Sequence, residues 1–144
     1  MKISIIMHGI SGSGKSTRSK ELIEEYNNKV DNLTYSIHST DSLFIENGIY
    51  NFRPEKLPEY HSINYKNFVE SINNNTMIVI VDNTNIFPEH WKPYEEAAKK
   101  MNYKVEHCWM PIIDSETAFS RNIHGVPMFS IERQIENYKK FYPI

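Results

Sequence analysis

The sequence predicts a three-layer α/β/α domain built on a mainly parallel sheet, and three observations carry that expectation. Short, nearly continuous apolar runs alternate with helical patterns along all 144 residues, as strands covered on both faces and joined through helices require. The first apolar run passes directly into Gly9-Ile10-Ser11-Gly12-Ser13-Gly14-Lys15-Ser16-Thr17 and then into a helical pattern, the strand–loop–helix context of a phosphate-binding loop. Two further apolar runs lead to aspartates, Asp41 and Asp82, and ligands of open parallel sheets bind at the carboxyl ends of the strands.

In order, Ile3–Met7 reads as a buried strand and Lys15 to about Asn27 as a helix with Leu22, Ile23 and Tyr26 on its apolar face. Leu33–His38 is a second strand, ending at Ser39-Thr40-Asp41. Residues 46–57, with Gly48 and Pro54 among polar residues, read as an exposed loop. Pro58 opens a helix whose Tyr65, Phe68, Val69 and Ile72 recur at helical spacing. Met77–Val81 is the next strand, and Pro88 opens a helix with Trp91, Tyr94, Ala98 and Met101 inward. Tyr103–Met110 completes the strands; Glu116–His124 and Ser130–Phe141 are the last helices, the second with Ile131, Ile135 and Tyr138 on one face.

Each position of the glycine-rich loop has a chemical reason. Gly9, Gly12 and Gly14 let the backbone turn tightly, so that the N–H groups of Ser11, Ser13 and their neighbours converge into an anion nest. Lys15 can reach outer phosphates, the Ser16 hydroxyl can ligate Mg²⁺, and Thr17 lies in the first turn of a helix whose positive end points at the same spot. Asp82, after Ile78-Val79-Ile80-Val81, suits a Mg²⁺ carboxylate beside Ser16; equally, Asn83-Thr84-Asn85 are turn formers and Asp82 could serve the turn. Asp41 suits a base taking a proton from an attacking hydroxyl, or an N-cap for a short helix Ser42–Ile45. Arg121 precedes a bend at His124-Gly125-Val126-Pro127 and could close over a phosphoryl group, or simply face solvent at a helix end.

Composition narrows the classes. A net charge of −2, 40% hydrophobic and 24% charged residues describe a folded chain without a surface devoted to nucleic acid. The single cysteine, Cys108, forbids an internal disulfide and fits a reducing, cytoplasmic setting, where it reads as a small apolar residue near a strand end. No signal peptide or run of membrane-spanning length is expected. The six histidines, among them His8 and His38 at strand ends, show no metal-ligand spacing, so a zinc site is not expected. Arg53 and Lys56, in a stretch with Tyr50 and Phe52, could touch a nucleic-acid strand or be ordinary surface.

With these residues set out, the chain resembles the small P-loop kinases of the polynucleotide 5′-hydroxyl kinase type, including the kinase-like, AAA-type ATPase domain of Nedd4-binding proteins. The matching strings are Gly9–Thr17, Ser39-Thr40-Asp41, Gly48-Ile49-Tyr50-Asn51-Phe52 with Pro54 and Leu57, His61, Val81-Asp82-Asn83-Thr84-Asn85, Trp91 with Pro93-Tyr94, and Arg121-Asn122-Ile123-His124-Gly125-Val126-Pro127. The resemblance implies a P-loop NTPase kinase-type fold over residues 1–144, with a lid at about 115–130. It implies Mg²⁺-dependent transfer of the γ-phosphate of ATP, or another nucleoside triphosphate, to a hydroxyl, in the best-known members a nucleic-acid 5′ end. On that pattern Asp41 is the base, Lys15 and Ser16 contact phosphate and Mg²⁺, and Arg121 is the lid arginine. The chain departs from the pattern at Ser42, where a second acidic residue is usual, and at Phe44, where the phage enzyme carries a substrate-phosphate arginine.

The triphosphate is thus expected on the glycine-rich loop, with its base near Gly125–Pro127 and the acceptor on the Asp41 side. Arg53, His61, Asn83 and Asn85 are the candidate acceptor contacts. A kinase of a nucleoside, nucleotide or hydroxymethylated base is the enzymatic alternative, and a non-catalytic nucleotide-binding regulatory module is the alternative of another class.

Overall fold

The computed structural model describes residues 1–143. Its elements follow one another as β1 (Ile3–His8), α1 (Lys15–Asn27), β2 (Tyr35–His38), β3 (Ile45–Glu46), β4 (Ile49–Tyr50), α2 (Leu57–Asn73), β5 (Ile78–Val81), α3 (Pro88–Lys100), β6 (Lys104–Trp109), α4 (Ser115–Arg121) and α5 (Met128–Phe141), with 3-10 turns at Asp41–Phe44 and Pro54–Lys56.

Four strands form a parallel sheet in the order β2-β5-β1-β6, with Ile5 opposite both Ile80 and Glu106. Alternation along the strands sorts their side chains onto two faces. Ile6, Val79 and Val81 pack with Phe68 and Ile72 of α2 and Tyr94 and Ala98 of α3. Ile5, Met7, Ile78 and Ile80 pack with Ile23 of α1 and, at the edge, Leu22, Tyr26 and Cys108. Helices therefore cover both faces, which is why β1 and β5 could be almost wholly apolar. A third cluster, Ile10, Ile86, Ala118, Ile131 and Tyr138, ties α4 and α5 to the loop after β1. Among the described residues no helix is long and apolar enough to cross a membrane.

The polar residues at the strand ends fasten β1 to the segment after β5. Gly9 N–H donates to Thr84 O (3.0 Å), Asn85 Nδ2 donates to Met7 O (2.8 Å), and His8 Nδ1 bonds Asn85 O (2.8 Å). His8 is fully buried and stacked on Trp109, and burial lowers its pKa to about 4. A neutral His8 ring donates through Nδ1 and accepts at Nε2 from His107 Nδ1 (2.7 Å). His38 is likewise lowered to about 4 by burial, with Nε2 against Ser71 Oγ (2.9 Å).

Four local expectations are corrected. β2 starts at Tyr35 rather than Leu33, because Thr34 instead accepts the Met77 N–H on its hydroxyl (2.9 Å). Residues 46–57 are not one open loop. Asn47 and Gly48 have φ of 52° and 79° and join β3 to β4 with Ile45 opposite Tyr50, the positive-φ pair of a type I′ hairpin. Asp41 is the first residue of its 3-10 turn, Thr40 stands at the cap, and no side chain makes a capping bond there. Finally, α4 stops at Arg121 instead of reaching His124. The Asn122 side chain competes with the helix by accepting His124 N–H (2.9 Å) and donating to Val126 O (3.2 Å), ahead of Gly125 at φ 70°.

Candidate active site

The glycine-rich loop runs from the buried end of β1 into α1 and leaves an unsatisfied anion site at the helix start. The first helical bond there is Arg18 N–H to Gly14 O (2.9 Å), so the amides of Lys15, Ser16 and Thr17 have no helical acceptor. The first turn contains no acidic residue and no side chain caps it. Gly12 and Gly14 hold φ of 81° and 94°, and a Cβ on Gly12 would collide with the carbonyl of Ala118 in α4. Two positions therefore require glycine, one of them because α4 presses on the loop.

Lys15 and Asp82 face each other across the resulting cleft. Burial lowers the Lys15 pKa and raises that of Asp82, and each charge opposes the other's shift. Lys15 Nζ donates to Ile10 O (3.0 Å) and Ser16 Oγ donates to Asp82 Oδ2 (3.0 Å). A hydroxyl and a nearly buried carboxylate so paired are oxygen donors suited to a hard divalent cation.

The cleft has a volume of about 370 Å³. Asp41 lines it from the end of β2, and Arg121 and His124 line it from the end of α4. Asp41 is half-exposed, and its Oδ2 lies 3.4 Å from His124 Nδ1. His124 in turn stacks on Tyr50 of β4, with ring centroids 4.3 Å apart. Burial, with Asp41 nearby, raises the Tyr50 hydroxyl to about 12. The hairpin and the bend after α4 thus meet over the candidate base.

Residues 5–124 match the family described as an AAA domain. The chain belongs to that family. NEDD4-binding protein 2 of Homo sapiens is 34% identical over 146 residues, covering 99% of this chain and 8% of that protein; the chain thus spans a small part of its relative. Among solved structures, the Pnkp1/Rnl/Hen1 RNA repair complex aligns at a TM-score of 0.71 and 15% identity, over 96% of this chain and 44% of that one. Kti12 of Chaetomium thermophilum, solved with ADP-AlF3, aligns at 0.69 and 14% identity, over 94% and 79%. These likenesses show a P-loop kinase-like α/β fold.

In this AAA domain the other expected contacts divide. Ser11, Gly12, Gly14, Lys15, Ser16 and Thr17 line the cleft. Gly9 and Ser13 lie outside its lining: Gly9 N–H donates to Thr84 O, and Ser13 N–H donates to Ile10 O (3.1 Å) while its own hydroxyl is buried. Ser11 N–H is taken by Gln134 Oε1 of α5 (2.8 Å). Asn83 lines the cleft and accepts Thr40 N–H on Oδ1 (2.9 Å). Asn85 is 1% exposed, holds φ 46° and donates its amide to Met7 O (2.8 Å); it lies outside this cleft and lines a neighbouring cavity. His61 touches Thr40 Oγ1 through Nδ1 (2.9 Å) and lies outside the cleft lining. Arg53 also lies outside it, paired with Glu46 across the hairpin (3.2 Å). Phe44 is buried among Tyr50, Phe52 and Tyr60, where an arginine could not be accommodated as a phosphate contact. Sequence reasoning did not place His124 among the site residues; its appearance in the bend after Arg121 was the available signal. Among the described residues no cluster of three or more His, Cys, Asp or Glu could hold a metal.

Proposed function

We propose that this chain is a kinase domain that transfers the γ-phosphoryl group of ATP to a hydroxyl, the favoured acceptor being the 5′-hydroxyl of a polynucleotide. The observation that carries the reading is the convergence of Lys15, Asp41, Asp82 and Arg121 on one 370 Å³ cleft at the carboxyl ends of the strands. The unpaired first-turn amides and the Ser16–Asp82 pair fit a triphosphate with Mg²⁺. Mg²⁺, when bound, supplies charge neutralisation on the phosphate oxygens.

Asp41 accepts the hydroxyl proton as the acceptor oxygen forms its bond to the γ-phosphorus. The bond from that phosphorus to the β–γ bridging oxygen breaks, and ADP leaves with the electron pair. Lys15 and Arg121 neutralise the spreading negative charge, with Arg121 carried on a lid at about 115–130. His124, with Nδ1 3.4 Å from Asp41 Oδ2, stands where it can orient that carboxylate.

Radiolabelled ATP offered with a panel of 5′-hydroxyl DNA and RNA oligonucleotides, nucleosides and mononucleotides tests this reading. Transfer to oligonucleotide 5′ ends is expected, and its loss in Asp41→Ala with Arg121→Ala. Transfer confined to nucleosides or nucleotides would establish the small-acceptor alternative. Transfer that survives both substitutions would overturn the mechanism, and nucleotide binding without any transfer would indicate a regulatory module.

A further inference from the structure

A second cavity, of about 520 Å³, opens beside the phosphate cleft, within the range of small-molecule sites of roughly 300–1,000 Å³. It lies between the N-terminal halves of α2 and α3: His61, Ser62 and Tyr65 line it from α2, and His90 and Tyr94 from α3. The turn after β5 connects the two cavities, since Asn83 and Thr84 line both. The phosphoryl-transfer groups Lys15, Asp41, Asp82 and Arg121 all lie in the first cavity and leave the second free.

Its chemistry is that of a site for a flat ring with polar edges. Tyr65 is the half-buried ring that meets an occupant; Tyr94, 5% exposed and fixed by Asn64 Nδ2 on its hydroxyl (3.1 Å), backs it edge to face with centroids 5.2 Å apart. Asn83 spends Oδ1 on Thr40 N–H, which leaves its amide protons for a ligand at the junction of the cavities. An aromatic ring with an open face and a few hydrogen-bonding groups around it binds an unstacked nucleobase. The wall is also tied to the candidate base, because His61 Nδ1 touches Thr40 Oγ1 (2.9 Å) and Thr40 precedes Asp41. An occupant would therefore sit on the Asp41 side of the glycine-rich loop, away from α4 and α5.

We infer that this cavity receives the terminal nucleobase of the hydroxyl acceptor, so that the attached sugar presents its hydroxyl to Asp41 across Asn83 and Thr84. The inference rests on the reading of Asp41 as the base of a phosphoryl transfer. It predicts a preference for acceptors that carry a base on the reacting sugar.

The test compares 5′-hydroxyl oligonucleotides having a normal or an abasic terminal sugar, in the native chain, Ser62→Trp and His90→Ala. Ser62 and His90 are exposed, so neither substitution enters the core. The native chain should show a KM at least tenfold lower for the base-bearing acceptor, and Ser62→Trp should bring the ratio toward one. A ratio near one in the native chain, or equal losses on both acceptors in Ser62→Trp, would overturn the inference. Aromatic NMR spectra with adenosine or thymidine added supply a readout independent of turnover: the Tyr65, Tyr94 and His90 ring signals should move, and should not move in Ser62→Trp. Ring shifts without transfer to any acceptor would sink the kinase reading and keep the nucleobase site. Transfer to oligonucleotides with no ring shifts and no base preference would do the reverse.

Discussion

Asp41 is the residue on which the proposed chemistry turns, and its surroundings differ from those of the cleft's other charges. Burial lowers the Lys15 pKa and raises that of Asp82, each charge opposing the other's shift, whereas Asp41 is half-exposed with His124 Nδ1 3.4 Å from its Oδ2. Replacing it by Asn keeps the shape and removes the proton acceptor. Asp41→Asn should lower kcat by about 10²–10⁴-fold, the usual contribution of a general base, with KM for ATP little changed. Steady-state kinetics at saturating ATP would measure this, and an unchanged kcat would rule out the proposed role. At this scale the sequence was informative about residue types but blind to partners. The phosphate loop followed from its glycines and Lys15-Ser16 in a strand-to-helix context. Asn83 and Asn85 read alike as acceptor contacts, yet Asn83 lines the cleft while Asn85 turns its backbone through positive φ and gives its amide to Met7 O. Nothing in local composition distinguishes those two asparagines.

Among the elements, α1 and α4 define the loop between them. Because Gly12 sits at φ 81° against the Ala118 carbonyl, the phosphate loop depends on the position of a helix more than a hundred residues later. Gly12→Ala forces both a strained backbone and a backbone collision. It should cost about 1–3 kcal/mol and weaken nucleotide binding, measurable by urea unfolding and by titration with ADP. A variant with native stability and affinity would show that α4 yields easily. The β3–β4 hairpin has its own sequence signal, hidden within a polar stretch: Asn47-Gly48 between Ile45-Glu46 and Ile49-Tyr50 is the dipeptide a type I′ turn demands. The end of α4 was harder to read, because the apolar spacing continues and only the Asn122 side-chain bonds stop the helix.

The whole molecule responds to acid through its buried imidazoles. His8 and His38 titrate at about 4 when folded against an ordinary value of 6.5, and burial lowers His61 as well. A depressed histidine pKa means that the unfolded chain binds more protons in that window, so stability rises with pH there. The stabilisation is complete above about pH 6.5 and is lost as pH falls toward 4. For a ring as buried as His8 the loss is on the order of 3 kcal/mol. Asp82, raised by burial, opposes this trend as a single group against the histidines. Urea unfolding should therefore give a free energy that declines as pH falls from 6.5 to 4; a level profile over that range would contradict it. The alternation of apolar strands with amphipathic helices was enough to dictate a parallel α/β sheet, since each run has one face or two to bury and few ways to do it. The phosphate loop was equally local, because its glycines, lysine and serine act within one turn of backbone. The strand order β2-β5-β1-β6, the meeting of His124 with Asp41 and Tyr50, and the cavity between α2 and α3 were decided only in three dimensions. Each depends on packing between segments far apart in the chain, and no local pattern encodes the distance between them.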